Sequence, residues 1–257
     1  MRLEFQDLAD RYNDTLTSSI TASCAFVTPM AGGVPAGIDG LRLFVTHHLG
    51  ITDEAEAEKA TQRIMKEEIG DRAVPSAEGE IQERMTYGVN VIRRTPRGPW
   101  IGTWMVKACL KVAASRLDIF REKRGSKGDM VEAGRVSPYG ISALDPPEDV
   151  EGCKRIYLIG PDDQPATTTF EEFKGRVNSP KGSVSIVHHS ECVPAGTRFE
   201  FQFQFLSGKI KEDDLKDMAA LSMIVGLGSV KALDLGKFRI NWADLEMGHR
   251  KNGKKDE

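Results

Sequence analysis

No CxxC pair, no basic leader and no apolar run of bilayer length occur in these 257 residues. The four cysteines, Cys24, Cys109, Cys153 and Cys192, stand far apart, so neither a zinc knuckle nor a disulfide framework is indicated. Each reads as a small buried hydrophobe. The opening MRLEFQDLAD carries acidic residues where a secretion signal needs a positive segment followed by an apolar one. The longest apolar run, from Met218 to Leu227, is too short to cross a bilayer. A cytoplasmic protein without a membrane partner is expected. Positive charge is also scarce overall, with a formal net charge of −3, while 40% hydrophobic and 28% charged residues suffice for a real core in one large or two small domains.

Against that acidic background, Arg93 to Arg124 holds nine Lys/Arg against Asp118 and Glu122. This local +7 leaves −10 for the rest of a chain that nets −3, the footprint of a phosphate-binding surface. Pro96, Gly98, Pro99 and Gly102 break regular structure at its start. From Thr103 onward Val106, Ala108, Cys109, Leu110, Val112, Ala113, Leu117 and Phe120 recur at helical intervals. Thr103 is expected to cap this helix and Lys107 and Lys111 to share one face, leaving first-turn N–H groups for an anion. The alternating strand Met85, Tyr87, Val89, Val91 delivers Arg93, Arg94 and Arg97 to the same place.

Elsewhere, Ser18 to Val27 alternates as a half-buried strand and ends in Thr28-Pro29-Met30-Ala31-Gly32-Gly33, a turn whose glycines let backbone approach a ligand. Glu54 to Ile69 reads as a helix with Ala57, Ala60, Ile64 and Met65 on one side. Ten acidic against four basic residues between Asp53 and Glu83 make a solvated face that nucleic acid would avoid, with Gly70 to Glu80 as a connector. REKRGSKGDM reads as a basic flexible turn and Ser137 to Asp149 as a loop. Arg155 to Ile159 is a short strand, and Gly160 to Gly182 is open between a protruding hairpin and a disordered loop.

Val184 to Val193 and Arg198 to Leu206 are strands, the second with Phe199, Phe201, Phe203 and Phe205 on one face. Four large rings at spacing two favour core burial over a base-stacking platform. Lys211 to Val225 is a second amphipathic helix, stopped by Gly226-Leu227-Gly228 and followed by a loop containing Lys231 and a strand from Lys237 to Asn241. The pattern predicts an α+β fold, an RRM-like or ferredoxin-like antiparallel sheet with helices on one side. One domain is expected over residues 1–248, with insertions at about 35–83 and 137–182 and a disordered tail at 249–257.

Four segments in order, TPMAGG, PWIGTWMVKACLK, VPAGTRFEFQF and GLGSVKALDLGKF, resemble the RAMP superfamily, and most closely the Cas-seven-type backbone subunits of CRISPR effector complexes. The wording departs from that family where Trp100-Ile101-Gly102-Thr103-Trp104 replaces a Pro-Gly-Ser-Ser step, and where Lys231, Leu233 and Leu235 replace an arginine-bearing Gly-aromatic-Gly loop. The resemblance implies a divergent member that holds single-stranded guide RNA without reading its bases. Its partners would be further copies of itself, other effector subunits and target nucleic acid paired to the guide, in antiviral defence. The second insertion would be a thumb-like hairpin, and no cofactor or metal is implied. The RNA-binding set is then Gly32, Gly33, Arg93, Arg97, Gly102, Thr103, Trp104, Lys107, Lys111, Gly226, Gly228 and Lys231, with Trp100 and Trp104 open between core and stacking roles.

Two other classes compete. The resemblance also makes Asp39, after the first glycine turn, a candidate for metal-dependent RNA cleavage, since some backbone subunits of that family use an aspartate in a similar loop, although an aspartate there is ordinarily a turn residue. His47-His48 and His188-His189, read as strand pairs, offer at most one ring each to a metal-free processing site. The third class is a self-assembling interaction protein without nucleic acid, its basic stretch meeting the acidic helix near Glu54 of a neighbouring copy.

Overall fold

The computed structural model describes residues 17–72, 86–121, 125–140, 154–179, 182–206, 209–229 and 234–243. The expectations for Gly70 to Glu80 beyond residue 72, for residues 141–149, Cys153, Lys231 and the tail lie outside the described residues.

The alternation in Ser18 to Val27 becomes β1 (Thr17–Phe26), which buries Ile20, Ala22, Cys24 and Phe26. Facing it, β11 (Arg198–Leu206) buries all four phenylalanines of its alternating run, so these rings are core. The two strands pair antiparallel with Ile20 opposite Phe203 and Ala22 opposite Phe201, which places both apolar rows on one face. β12 (Phe238–Ala243) and β7 (Arg135–Pro138) complete a four-stranded sheet in the order β12-β1-β11-β7, every pair antiparallel. Counting only these strands, the spatial order is fourth, first, third, second. That is the ferredoxin-like order the sequence predicts.

Two helices cover the apolar face. α3 (Thr103–Phe120) follows the first strand and α5 (Glu212–Val225) follows the third. They run antiparallel, since Cys109 reaches the Ser222 carbonyl while Arg121 reaches Asp214 and Asp217. Val106, Cys109, Leu110, Ala113 and Leu117 are core as expected, whereas Ala108, Val112 and Phe120 face outward. α4 (Ser126–Ala133) begins inside the segment expected to be a flexible turn. Its missing cap is replaced from outside: the buried Asp118 carboxylate accepts from the Lys127 and Gly128 N–H groups at 2.8 and 3.1 Å.

Asp214, 1% exposed, joins the three helices by accepting from Arg121 at 2.5 Å, Lys127 at 2.5 Å and the Lys211 N–H at 3.0 Å. Burial alone would raise this carboxyl, but Lys127, the Lys211 N–H and Arg121 outweigh it and hold it below its ordinary value of 3.8. A depressed carboxyl stabilises the fold above its unfolded pKa and loses that contribution as pH falls through the folded value, here below about pH 4. Asp214→Asn is therefore expected to lower the denaturant midpoint at pH 7, with the difference from the parent narrowing at pH 3.

The segments between these elements add further strands and helices, part of them packed in the main core and part, from Val34 to Ile69 with Val91, around a second apolar cluster. Between β1 and α3 lie β2 (Met30–Ala31), β3 (Val34–Pro35), α1 (Ile38–His48), α2 (Glu54–Ile64), a π-turn over Met65–Ile69 and a 3-10 turn over Gly70–Arg72. β4 (Thr86–Val91), β5 (Arg94–Thr95) and β6 (Gly98–Gly102) follow. α1 was not expected; Leu41, Phe44 and Val45 seat it on the buried side of α2. Between β7 and β11 lie β8 (Arg155–Tyr157), β9 (Thr169–Ser179) and β10 (Gly182–Val193).

Gly160 to Gly182, open between a protruding hairpin and a disordered loop, supplies one arm, β9, of a hairpin whose other arm is the strand expected at Val184 to Val193, here β10, paired from Thr169 with Cys192 to Ser179 with Gly182. On its other edge β10 meets β4 in a parallel pairing from Val187 and β2 at Cys192 and Val193. Among the described residues, Gly182 to Ile186 therefore pair only with β9, a two-stranded ribbon about 17 Å long.

Candidate functional site: an aromatic groove among three glycine turns

Three turns distant in sequence come together at the start of α3. The first and last are braced by backbone: Gly236 N–H donates to Pro29 O at 2.7 Å, Ser229 N–H to Ala31 O at 3.0 Å and the Ser229 hydroxyl to Gly32 O. Thr28 adds a side-chain link, its hydroxyl donating to Asp234 O and accepting from the Lys237 N–H. Gly32 is buried against β4, where a Cβ would stand 2.5 Å from the Val91 carbonyl carbon. Only a residue without one lets the first turn lie this close. Gly228 has φ +86°, and its turn passes directly under Ala31 and Met30.

The third turn is Gly102, the last residue of β6 and the N-cap of α3. Glycine has no side chain to cap with, and the expected cap Thr103 is instead a buried residue of the first turn. The indole of Trp104 lies over Gly102 where a Cβ would stand. On its outer side Trp104 meets His48 with ring centroids 5.9 Å apart and planes at 29°, and His48 in turn stacks on Phe44 at 5.2 Å. The two tryptophans thus separate. Trp104 is 37% exposed and Trp100 is 5% exposed.

Between the turns runs a groove of about 250 Å³, walled by Val34, Phe44, His48, Trp104, Met105 and Leu227, with Gly33, Gly228 and Ser229 along its rim. A smaller recess of about 30 Å³ shares Gly33, Val34, Phe44, Trp104 and Met105 with it and reaches Gly32, Gly102, Arg93 and Trp100. Behind the recess, Arg93 and Arg155 lie over the Trp100 ring at 4.2 and 5.2 Å.

The sequence-predicted residues divide around this groove. Gly32, Gly33, Gly102, Trp104 and Gly228 line it or its recess. Arg93 reaches the recess but is 6% exposed and held by the buried Glu68, so it faces inward rather than standing at the mouth of the helix. Arg97 sits in the β5–β6 turn, and Lys107 and Lys111 are half-buried on α3; none of the three lines the groove. Gly226 is the buried C-cap of α5. Of the nine basic residues read as one surface, Arg93, Arg94, Lys111 and Arg121 pair with Glu68, Glu191, Glu132 and Asp214, so much of the local positive charge is cancelled within the fold.

Asp39 is not a loop residue. It occupies the first turn of α1 and is exposed, and among the described residues no three His, Cys, Asp or Glu side chains gather to hold a metal ion. His47 and His48 close that same helix rather than a strand, so they point about 100° apart instead of to opposite faces. Phe44 and His48 were not expected at the site. Their signal was present in the spacing Leu41, Phe44, Val45, His48, one face of a helix.

Comparison with known proteins finds no matching family model and no matching curated protein. Among solved structures, a chain of the cryo-EM structure of the type III-B Cmr-beta complex bound to cognate target RNA aligns with a TM-score of 0.40 and 10% identity. The alignment covers 95% of this chain and 66% of that one. Among the described residues, no helix is long and apolar enough to cross a membrane.

Proposed function

We propose that this protein binds single-stranded RNA without regard to sequence, as a repeating backbone subunit on the guide RNA of a CRISPR effector complex. The observation that carries the reading is the meeting of three sequence-distant glycine turns around one groove on a ferredoxin-like sheet. The exposed Gly33 and the half-buried Gly228 bring backbone without side chains to the groove, where a sugar-phosphate chain can lie close whatever its bases. Three of the four segments on which the RAMP resemblance rests, TPMAGG, PWIGTWMVKACLK and GLGSVKALDLGKF, meet at the groove beside Val34, Phe44 and His48. On this reading residues 1–248 act as one domain with two insertions. The β9–β10 ribbon is the element that reaches a neighbouring copy, and the sequence from 174 to 187 carries Lys and Arg but no Asp or Glu.

Lys107 is the main basic contact and Lys111, already 3.2 Å from Glu132, a weaker one. Lys107→Ala is expected to flatten the dependence of log affinity on log salt by about 0.7, the value of one phosphate contact on a single strand. Adding Lys111→Ala should change the slope by less than that again. A double variant with the parent's affinity and slope would remove these lysines from the interface.

A further inference from the structure

β9 is the outer strand of its sheet. Its 11 residues pair with β10 along one edge, and among the described residues the other edge pairs with nothing. In an antiparallel strand every second residue turns its N–H and C=O away from its partner, so β9 offers a row of unpaired backbone groups. This edge is open to solvent: Thr169 to Glu172 and Lys174 are exposed, Phe170 by 51%, and Phe173 is half-buried.

Charged residues on an edge strand ordinarily block the addition of another strand. Here their order admits one register. Glu171 and Glu172 precede Phe173, and Lys174 follows it. Two copies of β9 laid antiparallel about a two-fold axis at Phe173 set Glu172 opposite Lys174 twice on one face, and the two Phe173 side chains opposite each other on the other face. Moving the axis by one residue sets Glu172 opposite Glu172 or Lys174 opposite Lys174, and like charges directly opposite are destabilising. Within one strand Lys174 Nζ already lies 3.4 Å from Glu172 Oε1, so the pairing turns two exposed ion pairs into a closed set of four alternating charges.

We propose that β9 pairs with β9 of a second copy of this chain, antiparallel about a two-fold axis at Phe173, with the strands overlapping from Thr169 to Val177. The backbone groups of the open edge supply the attraction, and the charges fix the register. The contact goes beyond the RNA-binding reading and needs no RNA. It is isologous and closes at two copies, so it is separate from any head-to-tail contact that repeats along a strand.

The test is the sedimentation of nuclease-treated protein at concentrations up to about 100 μM, where a contact with a micromolar Kd is populated. A dimer is expected. Lys174→Glu replaces two opposite-charge pairs by two like-charge pairs and should weaken dimerisation about tenfold or more, and Glu172→Lys should do the same. Combining the two changes exchanges the charges and restores the pairs, so the double variant should dimerise as the parent does. A parent that stays monomeric, or that forms a ladder of larger species, overturns the pairing. So does a dimer that Lys174→Glu leaves intact, or one that the double variant fails to restore.

Discussion

Glu191→Ala is expected to lower stability by about 3–5 kcal/mol, the cost of removing one partner from a buried charge cluster. Glu191 lies on β10 at 1% exposure, and its carboxylate accepts from Arg72 at 2.5 Å, Arg94 at 2.6 Å, the Thr168 hydroxyl at 2.6 Å and the Ile92 N–H at 2.8 Å. Those donors come from the turn after α2, from the β4–β5 connection and the start of β5, and from the chain leading into β9. One carboxylate thus fastens both insertions to each other. Without it, the Arg72 guanidinium keeps the Glu68, Ile69 and Ile92 carbonyls but loses its counter-charge, the Ile92 N–H loses its acceptor, and a loss of this size is a large part of a typical domain's 5–15 kcal/mol. Glu191→Gln keeps the shape and one acceptor and should cost less. Guanidinium unfolding of the two variants checks this; a loss below about 1 kcal/mol for the alanine would mean that the cluster does not hold the insertions.

Gly228→Ala should be the most damaging substitution in the groove. At φ +86° an L-residue costs about 1–2 kcal/mol in backbone strain alone. The added methyl would also strike the Ala31 carbonyl oxygen and stand 2.8 Å from Met30 Sδ. Ala31 O is the acceptor of the Ser229 N–H, so the bond that braces the first and last turns is the one disturbed. A loss above about 2 kcal/mol is expected, together with weaker RNA binding than the remaining folded fraction accounts for. Gly33→Ala is the control on the same rim. Gly33 is exposed and its nearest neighbour to a new Cβ is Ser229 N at 3.8 Å, so this change should stay within about 0.5 kcal/mol. Thermal unfolding of both proteins distinguishes them, and equal losses would contradict the role given to the turn.

The core sheet was legible because its strands and helices carry strong periods. Phe199 to Phe205 alternate without a break, and Val106 to Leu117 keep a helical row, so burial follows directly from spacing. α1 escaped because Gly37 and Gly40 flank Asp39 and suggest a loop, while the row Leu41, Phe44, Val45, His48 inside it was passed over. α4 escaped for another reason. Its sequence SKGDMVEA is a weak helix former with a glycine in its first turn, and it is held by Asp118, Lys127 and Val131 packing on α3, a tertiary effect that local pattern does not carry.

At the site, the glycine turns were readable because glycine marks close backbone approach, and they do meet. The charge was misleading. Arg93, Arg94 and Arg121 fall within one basic stretch, but their acidic partners, Glu68, Glu191 and Asp214, lie outside it, 25 to 97 residues from them, where a local count cannot see them. What remains for a ligand is mostly backbone and aromatic surface, with fewer free cations than the sequence suggests.

The most direct measurement is the affinity of the unaltered protein for two single-stranded RNAs of equal length and unrelated sequence across a salt series. Equal affinities are expected at each salt concentration, with log affinity falling linearly in log salt by about 0.7 for each phosphate held. No binding at low salt, or a preference of more than about tenfold for one sequence, would contradict sequence-independent RNA binding.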